Sequence, residues 1–462
     1  MKLAKNIPIL LLALLAAGCA TTPNLPKYKA QLAADFANAA ATQTEPVAQF
    51  WRGFGDTDLD ALVDQAIKAN ADLRIAGANL REARALANFA DAQAKPTIGT
   101  SANAARVRAR DSDGKTQTGN VFAAGFDVAW EADLFGRFSS ERQAAAAQVL
   151  ATEALVRAAQ VSVASEVARN YFELRRFQEQ LRVAKAALET QRAALKLVQA
   201  RLAVGRGTAL DTERANALVL TTAASIPSLE TVLIRTRYRL AVLTGQLPTA
   251  LDMQFATQKP LPGIKAVALA SIGSPENLLR RRPDVAVAEQ QVAVAAARIG
   301  IARSELFPRL TLGGTLGLNA GRIADLGKSA AFVYNLGASL IWTLLDFGRN
   351  RAQIAAASAR GEAAVIAYEK AVLGALEETE GALATYTRAQ RQTESLLGAA
   401  QSASKAAEIA RARFSAGTSD FLAVLDAERE LLAARDRLAQ AQTSGATSLV
   451  AVYKSLAGGW KP

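Results

Sequence analysis

Two residue types that are common in metal sites and in nucleophilic catalysis are nearly missing from this chain of 462 residues, which has no His and a single Cys, Cys19. Zinc sites built from Cys and His, Cys–His nucleophiles and internal disulfides are therefore excluded or nearly so. We therefore expect no metal site and no cofactor. The chemistry that remains is modification of Cys19 and the placement of charged side chains.

Cys19 lies at the end of an N-terminal secretion signal, in which Lys2 and Lys5 precede an apolar stretch and a small-residue cleavage site. This signal resembles that of a bacterial lipoprotein, whose cleavage leaves Cys19 as an acylated N-terminus, although Ala16 stands where Leu is usual. An ordinary secretion signal with an incidental Cys is the alternative. Ala20 follows in place of the Asp that retains lipoproteins in the inner membrane, which points to the outer membrane.

The basic balance of the chain does not indicate nucleic-acid binding. The formal charge is +12, or +10 once Lys2 and Lys5 leave with the signal, and the basic residues are spread along helical segments without interleaved aromatic residues. Outside the signal we find no run of about 20 apolar residues, so the sequence predicts no transmembrane helix. Any membrane crossing would then require β-strands.

The elements that position the charged residues are predicted by an internal repeat. The segments Phe126–Arg137 and Gly337–Arg349 each read as a strand that passes into a helix. Matching residues of these joints lie 212 positions apart: Trp130 and Trp342, Phe135 and Phe347, Gly136 and Gly348, Arg137 and Arg349. A repeated joint predicts two copies of one structural unit.

Alternating side chains predict two strand hairpins, at about 97–131 and about 309–343. In the first hairpin Phe126 and Trp130 share one face, and small or polar residues such as Asp127 share the other. This alternation is typical of transmembrane barrel strands, although a half-buried strand of a soluble protein looks the same. Four strands cannot close a barrel and open edges are not tolerated in lipid, so the chain must pool its strands with other copies.

Two long helical hairpins are predicted at 137–245 and 349–457. Leucines recur every seven residues from Leu174 to Leu202, which is typical of a coiled-coil seam, and a helix of about 66 residues is roughly 100 Å long.

Each long helix ends in a turn that contains Gly, at Gly205 and Gly417. The return helices contain the similar sequences Leu210-Asp211 and Leu425-Asp426, whose offset in numbering is larger by three than that of the joints. This larger offset predicts three extra residues in the second tip.

These elements divide the chain into five segments. Residues 1–18 form the signal, 19–50 a lipid-anchored tether, 51–258 the first repeat, 259–275 a linker and 276–462 the second repeat.

Short motifs spread over nearly the whole mature chain are shared, in the same order, with one known family. They are the Cys19 signal, Trp51 with Phe54-Gly55-Asp56, Asp133–Arg137, Arg282–Val285, Phe307-Pro308, Asp346–Arg349, Leu425–Arg429 and Gly458–Trp460. With these motifs the sequence resembles the TolC-like outer-membrane efflux proteins, in their lipoprotein (NodT-type) branch.

The resemblance implies an α+β membrane protein in which three chains supply twelve strands to one β-barrel, continued by a long periplasmic α-helical barrel. It implies the exit duct of a tripartite efflux pump, which conducts drugs or other small molecules passively across the outer membrane. Such a duct needs no catalytic residue, so we expect no enzyme activity. The implied partners are two further copies of the chain, a periplasmic adaptor, an inner-membrane RND-type transporter and outer-membrane lipid.

A duct of this kind closes at its periplasmic helix tips, and in the family charged side chains near the second tip narrow the aperture. Asp420 matches that position best, with Arg411 and Arg413 as partners on the same or a neighbouring chain. Asp420 could instead cap a helix, a role for which Ser419 competes.

Two further roles are expected at the turns and joints. The turns at Gly205-Arg206-Gly207 and Gly417-Thr418 are candidates for adaptor docking, or their Gly residues simply permit a tight turn. Arg137 and Arg349 either support the bend from strand to helix or are solvated charges.

The sequence alone does not exclude two other classes of protein. One is a structural coiled coil or an adaptor without a pore, against which the two barrel-like hairpins argue. The other is the outer-membrane duct of a type I protein secretion system.

Overall fold

The computed structural model describes residues 25, 32–38, 49–110, 112, 114–257, 259 and 273–456. Cys19, the predicted signal and most of the predicted tether and linker lie outside the described residues. The chain forms two compact units, and each combines segments from both halves of the sequence. One unit comprises 1–29, 79–153 and 287–369, and the other comprises 30–78, 154–286 and 370–462.

The helices and strands of the first half follow one another in the predicted order. They are α1 (Thr57–Ala69), α2 (Ala71–Gln93), β1 (Thr97–Arg110), β2 (Thr116–Ala132), α3 (Arg137–Ala203) and α4 (Ala209–Leu243). The second half contains α5 (Pro275–Arg281), α6 (Pro283–Ser304), β3 (Arg309–Ala320), β4 (Phe332–Ile341), α7 (Arg349–Ser415) and α8 (Phe421–Ser455).

Corresponding long helices have the same length in the two halves, 67 residues in α3 and α7 and 35 residues in α4 and α8. The offset between the halves is therefore the same on both sides of the tips. The prediction of three extra residues in the second tip is wrong. It matched Leu210-Asp211 to Leu425-Asp426, although the residue equivalent to Leu210 is Leu422.

The four strands form one antiparallel sheet in the order β1-β2-β3-β4. The pairing of Thr97 with Ala129 in the first hairpin recurs at the equivalent positions of the second as the pairing of Arg309 with Ile341. The central pair, β2 with β3, places Phe126 opposite Leu316. β1 and β4 are the two edges of this sheet and have no further strand partner within the described residues.

One face of the sheet is apolar. Because directly paired residues project to the same side, Phe126 shares its face with Leu316, and Leu316 with Tyr334. The face carries further large side chains, Val128, Trp130, Leu312, Leu336 and Leu340, all of them exposed in the single chain. The opposite face is mostly small or polar, as Asp127 paired with Gly99 and Thr315 illustrates, with Val107, Val333 and Ile341 among the exceptions. The predicted alternation is therefore present in the sheet.

The coiled-coil seam is buried over most of its length. Leu174, Leu181, Leu188 and Val198 are all less than a tenth exposed. Leu202, at the end of the leucine series, differs and is 37 % exposed, because α3 ends one residue later.

Among the described residues, two helices, α4 and α6, are long and apolar enough to cross a membrane by length and composition alone. This differs from the expectation of no such helix, because a hydropathy averaged over a segment tolerates the polar and charged residues that interrupt an apolar run. Length and composition are weak evidence of a span. α4 also packs Leu233, Leu240 and Leu243 into a buried cluster with the middle of α3 and with α1, as a helix of a bundle does.

Candidate functional site: the strand–helix joints and the helix tips

The first joint is closed by hydrogen bonds and ion pairs. Asp133 accepts hydrogen bonds from the backbone N–H groups of Phe138 (3.2 Å) and Ser139 (2.8 Å), which satisfies donors of the first turn of α3. Arg137 donates to Glu131 at the end of β2 (3.1 Å) and to Glu141 in α3 (2.9 Å). The half-buried Arg137 thus connects strand to helix, a geometry that favours the supporting role for this residue.

The second joint also has an Asp cap, one residue closer to its helix than in the first joint, but it lacks the ion pairs. Asp346 accepts hydrogen bonds from the backbone N–H groups of Gly348 (3.0 Å) and Asn350 (2.8 Å). Arg349 is exposed, and no carboxylate among the described residues forms an ion pair with it. Phe347 has a φ of 52°, a left-handed conformation that is rare outside Gly, and Gly348 follows with a φ of 89°.

A tryptophan ties each joint to the preceding helix. The indole N–H of Trp130 donates to the carbonyl of Ala94 (2.9 Å), just after α2. The indole N–H of Trp342 donates to the carbonyl of Leu306 (3.0 Å), just after α6. The two bonds are equivalent under the internal repeat. Each fixes the end of a strand against the beginning of the strand that pairs with it.

The aromatic rings of the two joints have different environments. Phe135 stacks on Phe307 with ring centroids 4.7 Å apart and nearly parallel planes. Phe347, the repeat equivalent of Phe135, is 92 % exposed, and the neighbouring Leu344 and Leu345 are also largely exposed. The second joint therefore presents an apolar surface that is covered in the first.

The two tip turns have the same backbone structure. Arg206 N–H donates to the carbonyl of Arg201 (2.8 Å), and Thr418 N–H donates to the carbonyl of Arg413 (2.9 Å). Gly205 and Gly417 have φ values of 71° and 76°. These are Schellman turns, in which Gly supplies the left-handed residue. The conformational role of both glycines is thus present in the structure.

Equivalent side chains cap the two return helices. Thr208 accepts a hydrogen bond from the N–H of Asp211 (3.1 Å), and Asp420 accepts one from the N–H of Ala423 (3.2 Å). Asp420 is therefore the N-cap of α8, a role for which Ser419 had competed. Its side chain is exposed, and the same position in the first repeat carries no charge.

The arginines near the second tip lie in two different environments. Arg411 donates to Glu428 (2.8 Å), which is almost fully buried, so the partner of Arg411 within the chain is Glu428 and not Asp420. Arg413 is exposed. Sequence reasoning missed Glu428, which lies far from Arg411 along the chain and faces it across the helical hairpin.

Arg201 joins the two tips and was also missed from the sequence. Its guanidinium donates to the carbonyls of Phe414 (2.8 Å) and Ser415 (3.2 Å) and lies over the Phe414 ring. The available signal was the repeat, since Arg201 and Arg413 are equivalent positions.

A cavity of about 600 Å³ lies between the tips, and both predicted docking turns line it. The residues that it brings together include Gly205, Arg206, Gly207, Gly417 and Asp420.

The family model for outer membrane efflux proteins matches residues 62–246 and 274–458. The chain belongs to the outer membrane efflux protein family. It is therefore an outer-membrane protein of a family of efflux channels and not of enzymes, and the resemblance drawn from the short motifs is confirmed.

Relatives within the outer membrane efflux proteins extend over the whole chain. The pyoverdine export outer membrane protein OpmQ of Pseudomonas aeruginosa is 31% identical over 99% of this chain and 97% of its own length. Nodulation protein T of Rhizobium leguminosarum is 27% identical over 97% of this chain and 96% of its own. The solved structure of the outer-membrane channel OprN is 36% identical, has a TM-score of 0.89 and covers 96% of this chain and 100% of its own.

Proposed function

We propose that three copies of this chain form the exit duct of a tripartite efflux pump, through which small molecules pass from an inner-membrane transporter and a periplasmic adaptor to the outside. The observation that carries the proposal is a four-stranded sheet with an apolar face and two unpaired edges, β1 and β4. Unpaired backbone groups are too costly to leave in lipid, so the edges require partners. Twelve strands from three chains suffice for a barrel.

The repeat supports one particular pairing of the edges between subunits. In the chain, Phe126 of β2 lies opposite Leu316 of β3. Shifting each residue by one repeat places Ala338 of β4 opposite Ala104 of β1 in the partner subunit. The same shift turns the pair of Trp130 and Leu312 into Trp342 opposite Thr100 of the partner subunit. Every contact between subunits in the barrel is then a copy of a contact within one chain.

This register can be tested by a disulfide between subunits. We expect the variant with Ala104→Cys and Ala338→Cys to form covalent trimers under mild oxidation, because paired residues place their Cβ atoms about 5 Å apart. Within one chain the two positions lie on opposite edges of a four-stranded sheet, about 14 Å apart, too far for a disulfide. Cys19 is the only native Cys, and acylation would remove its thiol.

A matched variant with Ser101→Cys and Ala338→Cys serves as the control. Ser101 lies three residues out of register and on the other face of the sheet, so we expect no covalent trimer on denaturing gels. Equal cross-linking of both variants would contradict the proposed register. Conductance of the uncross-linked trimers in planar bilayers then tests the duct itself, and trimers without conductance would favour a structural coiled coil.

The closable end of the duct is proposed at the tips. Asp420 and Arg413 are exposed in the single chain and are therefore free to face equivalent residues around a three-fold axis. Arg411 contributes through Glu428, whose buried carboxylate it neutralises. Three carboxylates around a narrow axis repel one another or hold cations, which makes such a ring both selective and openable.

The proposed duct has two further attachments. Cys19, acylated after cleavage of the signal, anchors each chain to the outer membrane, since several lipid chains together give stable binding. The turns at Gly205-Arg206-Gly207 and Gly417-Thr418 receive the adaptor, in keeping with their joint position around the cavity at the tips.

The relative OpmQ is named for pyoverdine export, which favours small molecules as cargo over the proteins of a type I secretion system.

A further inference from the structure

Three arginines occupy alternate positions at the end of β1 that leads into the β1–β2 turn: Arg106, Arg108 and Arg110. All three are exposed. In the part of the chain that the structure describes, no carboxylate forms an ion pair with any of them. Like charges this close raise each other's energy, so a surface of this kind is stabilised by an anion.

The pairing of β1 with β2 determines the face on which the arginines lie. Thr100 is opposite Phe126 and Ala104 is opposite Phe122, so the even-numbered residues of β1 share the apolar face of the sheet. Arg106 continues this series opposite Asn120. The arginines therefore belong to the face that meets lipid in the proposed barrel and not to the face that lines the duct.

Strand geometry gives the depth of the arginines in the membrane. Asn120, the pairing partner of Arg106, is ten residues from Trp130 along β2, about 33 Å at the usual rise per residue. At the tilt of about 40° typical of barrel strands, this becomes about 25 Å along the membrane normal. That is the height of the apolar band of an outer-membrane barrel. With Trp130 at the periplasmic interface, Arg106 lies at the opposite interface.

Aromatic residues mark the same height on β4. Phe332 and Tyr334 are exposed on the apolar face, ten and eight residues from Trp342. In the register proposed for the trimer, Arg108 lies opposite Tyr334 of the partner subunit, and Arg110 opposite Phe332 of the partner subunit. Aromatic residues at this level are typical of a membrane interface.

From this placement we infer that Arg106, Arg108 and Arg110 bind the phosphate groups of anionic lipids in the outer leaflet, at each of the three junctions between subunits. The inference rests on the proposed function, because it needs the trimeric barrel. Guanidinium groups match phosphate in charge and in paired hydrogen-bond geometry. Carboxylate cargo inside the duct would not meet this face.

The test uses full-length trimers in an uncharged detergent and measures their affinity for lipid A that carries two phosphates. We expect the same lipid without phosphates to bind at least tenfold more weakly. Each basic residue at an anionic membrane surface contributes about fivefold, so the variant R106Q/R108Q/R110Q should lose affinity for the phosphorylated lipid by roughly a hundredfold. Binding that millimolar inorganic phosphate abolishes would indicate a free-anion site and would overturn the assignment to lipid.

Two variants separate specific binding from net charge. R106K/R108K/R110K keeps the charge but loses the paired hydrogen bonds, so it should bind more weakly than the wild type and more tightly than R106Q/R108Q/R110Q. R74Q/R388Q/R391Q removes three exposed arginines from helices and should bind like the wild type. The inference is overturned if the wild type shows no preference for phosphate, if R106Q/R108Q/R110Q binds normally, or if the helical variant loses as much. Bilayer conductance of the same trimers distinguishes failure of this inference from failure of the proposed function. Trimers that conduct but show no preference for phosphorylated lipid would contradict only the inference.

Discussion

Single residues distinguish the two tips, because their backbones are the same. Both return helices begin with a side-chain cap, Thr208 in the first repeat and Asp420 in the second, and only the second carries a charge. A difference confined to one side chain allows the cap and the charge to be separated by substitution.

Asp420→Asn is expected to raise the closed-state conductance of the trimer in planar bilayers. The amide keeps the N-cap hydrogen bond but removes the charge from the proposed ring, and Asp420→Ala should raise conductance as well. Thr208→Ala is the matched control, since it loses a cap worth about 1 kcal/mol without any change in charge. Unchanged conductance of Asp420→Asn would exclude Asp420 from the gate.

The charged partners near the tip could be predicted from the sequence only in part. Asp420 and the two arginines were recognisable as charges beside a turn. The pairing of Arg411 with Glu428 depends on which faces of α7 and α8 meet, and the small residues of the α7 seam leave that rotation poorly defined in the sequence. Arg201 was hidden for a related reason, since its acceptors are backbone carbonyls that any residue could supply.

At the level of the elements, equivalent helices of the two halves are held together by different interactions. Arg282, just before α6, donates to the carbonyl of Ser455 at the end of α8 (2.9 Å). Its repeat equivalent, Asn70, donates to the carbonyl of Leu243 at the end of α4 (2.8 Å). Only the arginine adds ion pairs, to Asp284 (2.7 Å) and Glu378 (2.6 Å).

These ion pairs make the stability of the contact between Arg282 and the end of α8 dependent on pH. Burial alone would raise the pKa of the Asp284 and Glu378 carboxyls, but hydrogen bonds and charge from Arg282 outweigh it and hold each pKa below its usual value. A lowered folded-state pKa stabilises the fold above the unfolded-state pKa and loses that effect as pH falls through the folded value.

Arg282→Gln should therefore lower the thermal stability of the protein most at neutral pH. We expect a loss of about 2 kcal/mol at pH 7, since hydrogen bonds to charged groups are worth about 1.5–3 kcal/mol and both carboxylates stay partly in water. The difference from the wild type should shrink as the pH falls below the ordinary carboxyl range and through the lowered folded-state pKa values, because both carboxyls are then protonated. Melting curves in detergent at several pH values measure it, and a constant difference would contradict the linkage.

The elements themselves were largely predictable. Strand alternation and the leucine series placed β1, β2 and α3 to within a few residues, because both patterns follow from burial on one side of an element. The tip offset was misjudged because a short Leu-Asp motif recurs one helical turn later in α8 than in α4. Motif similarity is a weaker guide to register than helix length, which the backbone caps at both ends determine.

For the whole molecule, the two joints indicate which surfaces are covered within the chain and which are left for contact with another subunit. Phe135 is covered by Phe307, whereas Phe347 is almost fully exposed in one chain. The residue equivalent to Phe307 is Lys95. In the proposed trimer, Phe347 therefore lies against Lys95 of the partner subunit.

Phe347→Ala and Phe135→Ala should then have different consequences. Phe347→Ala is expected to leave the single chain as stable as the wild type but to weaken the trimer, because only the neighbouring subunit covers the Phe347 ring. Phe135→Ala removes a stacked ring within the chain and should destabilise its fold by about 1–3 kcal/mol. Native mass spectrometry of trimers and melting of the chain separate the two effects. Equal trimer loss in both variants would argue against the contact with the partner.

The constant offset between the two halves, from α2 to α8, has a consequence for how such a chain can change. In the proposed trimer, six nearly equivalent helical hairpins form a ring. A longer hairpin in one half would leave the end of that ring uneven unless the hairpin of the other half changed by the same length. Insertions and deletions are then selected in pairs, whereas substitutions are free to differ. The two halves could diverge in chemistry while their lengths stayed locked together.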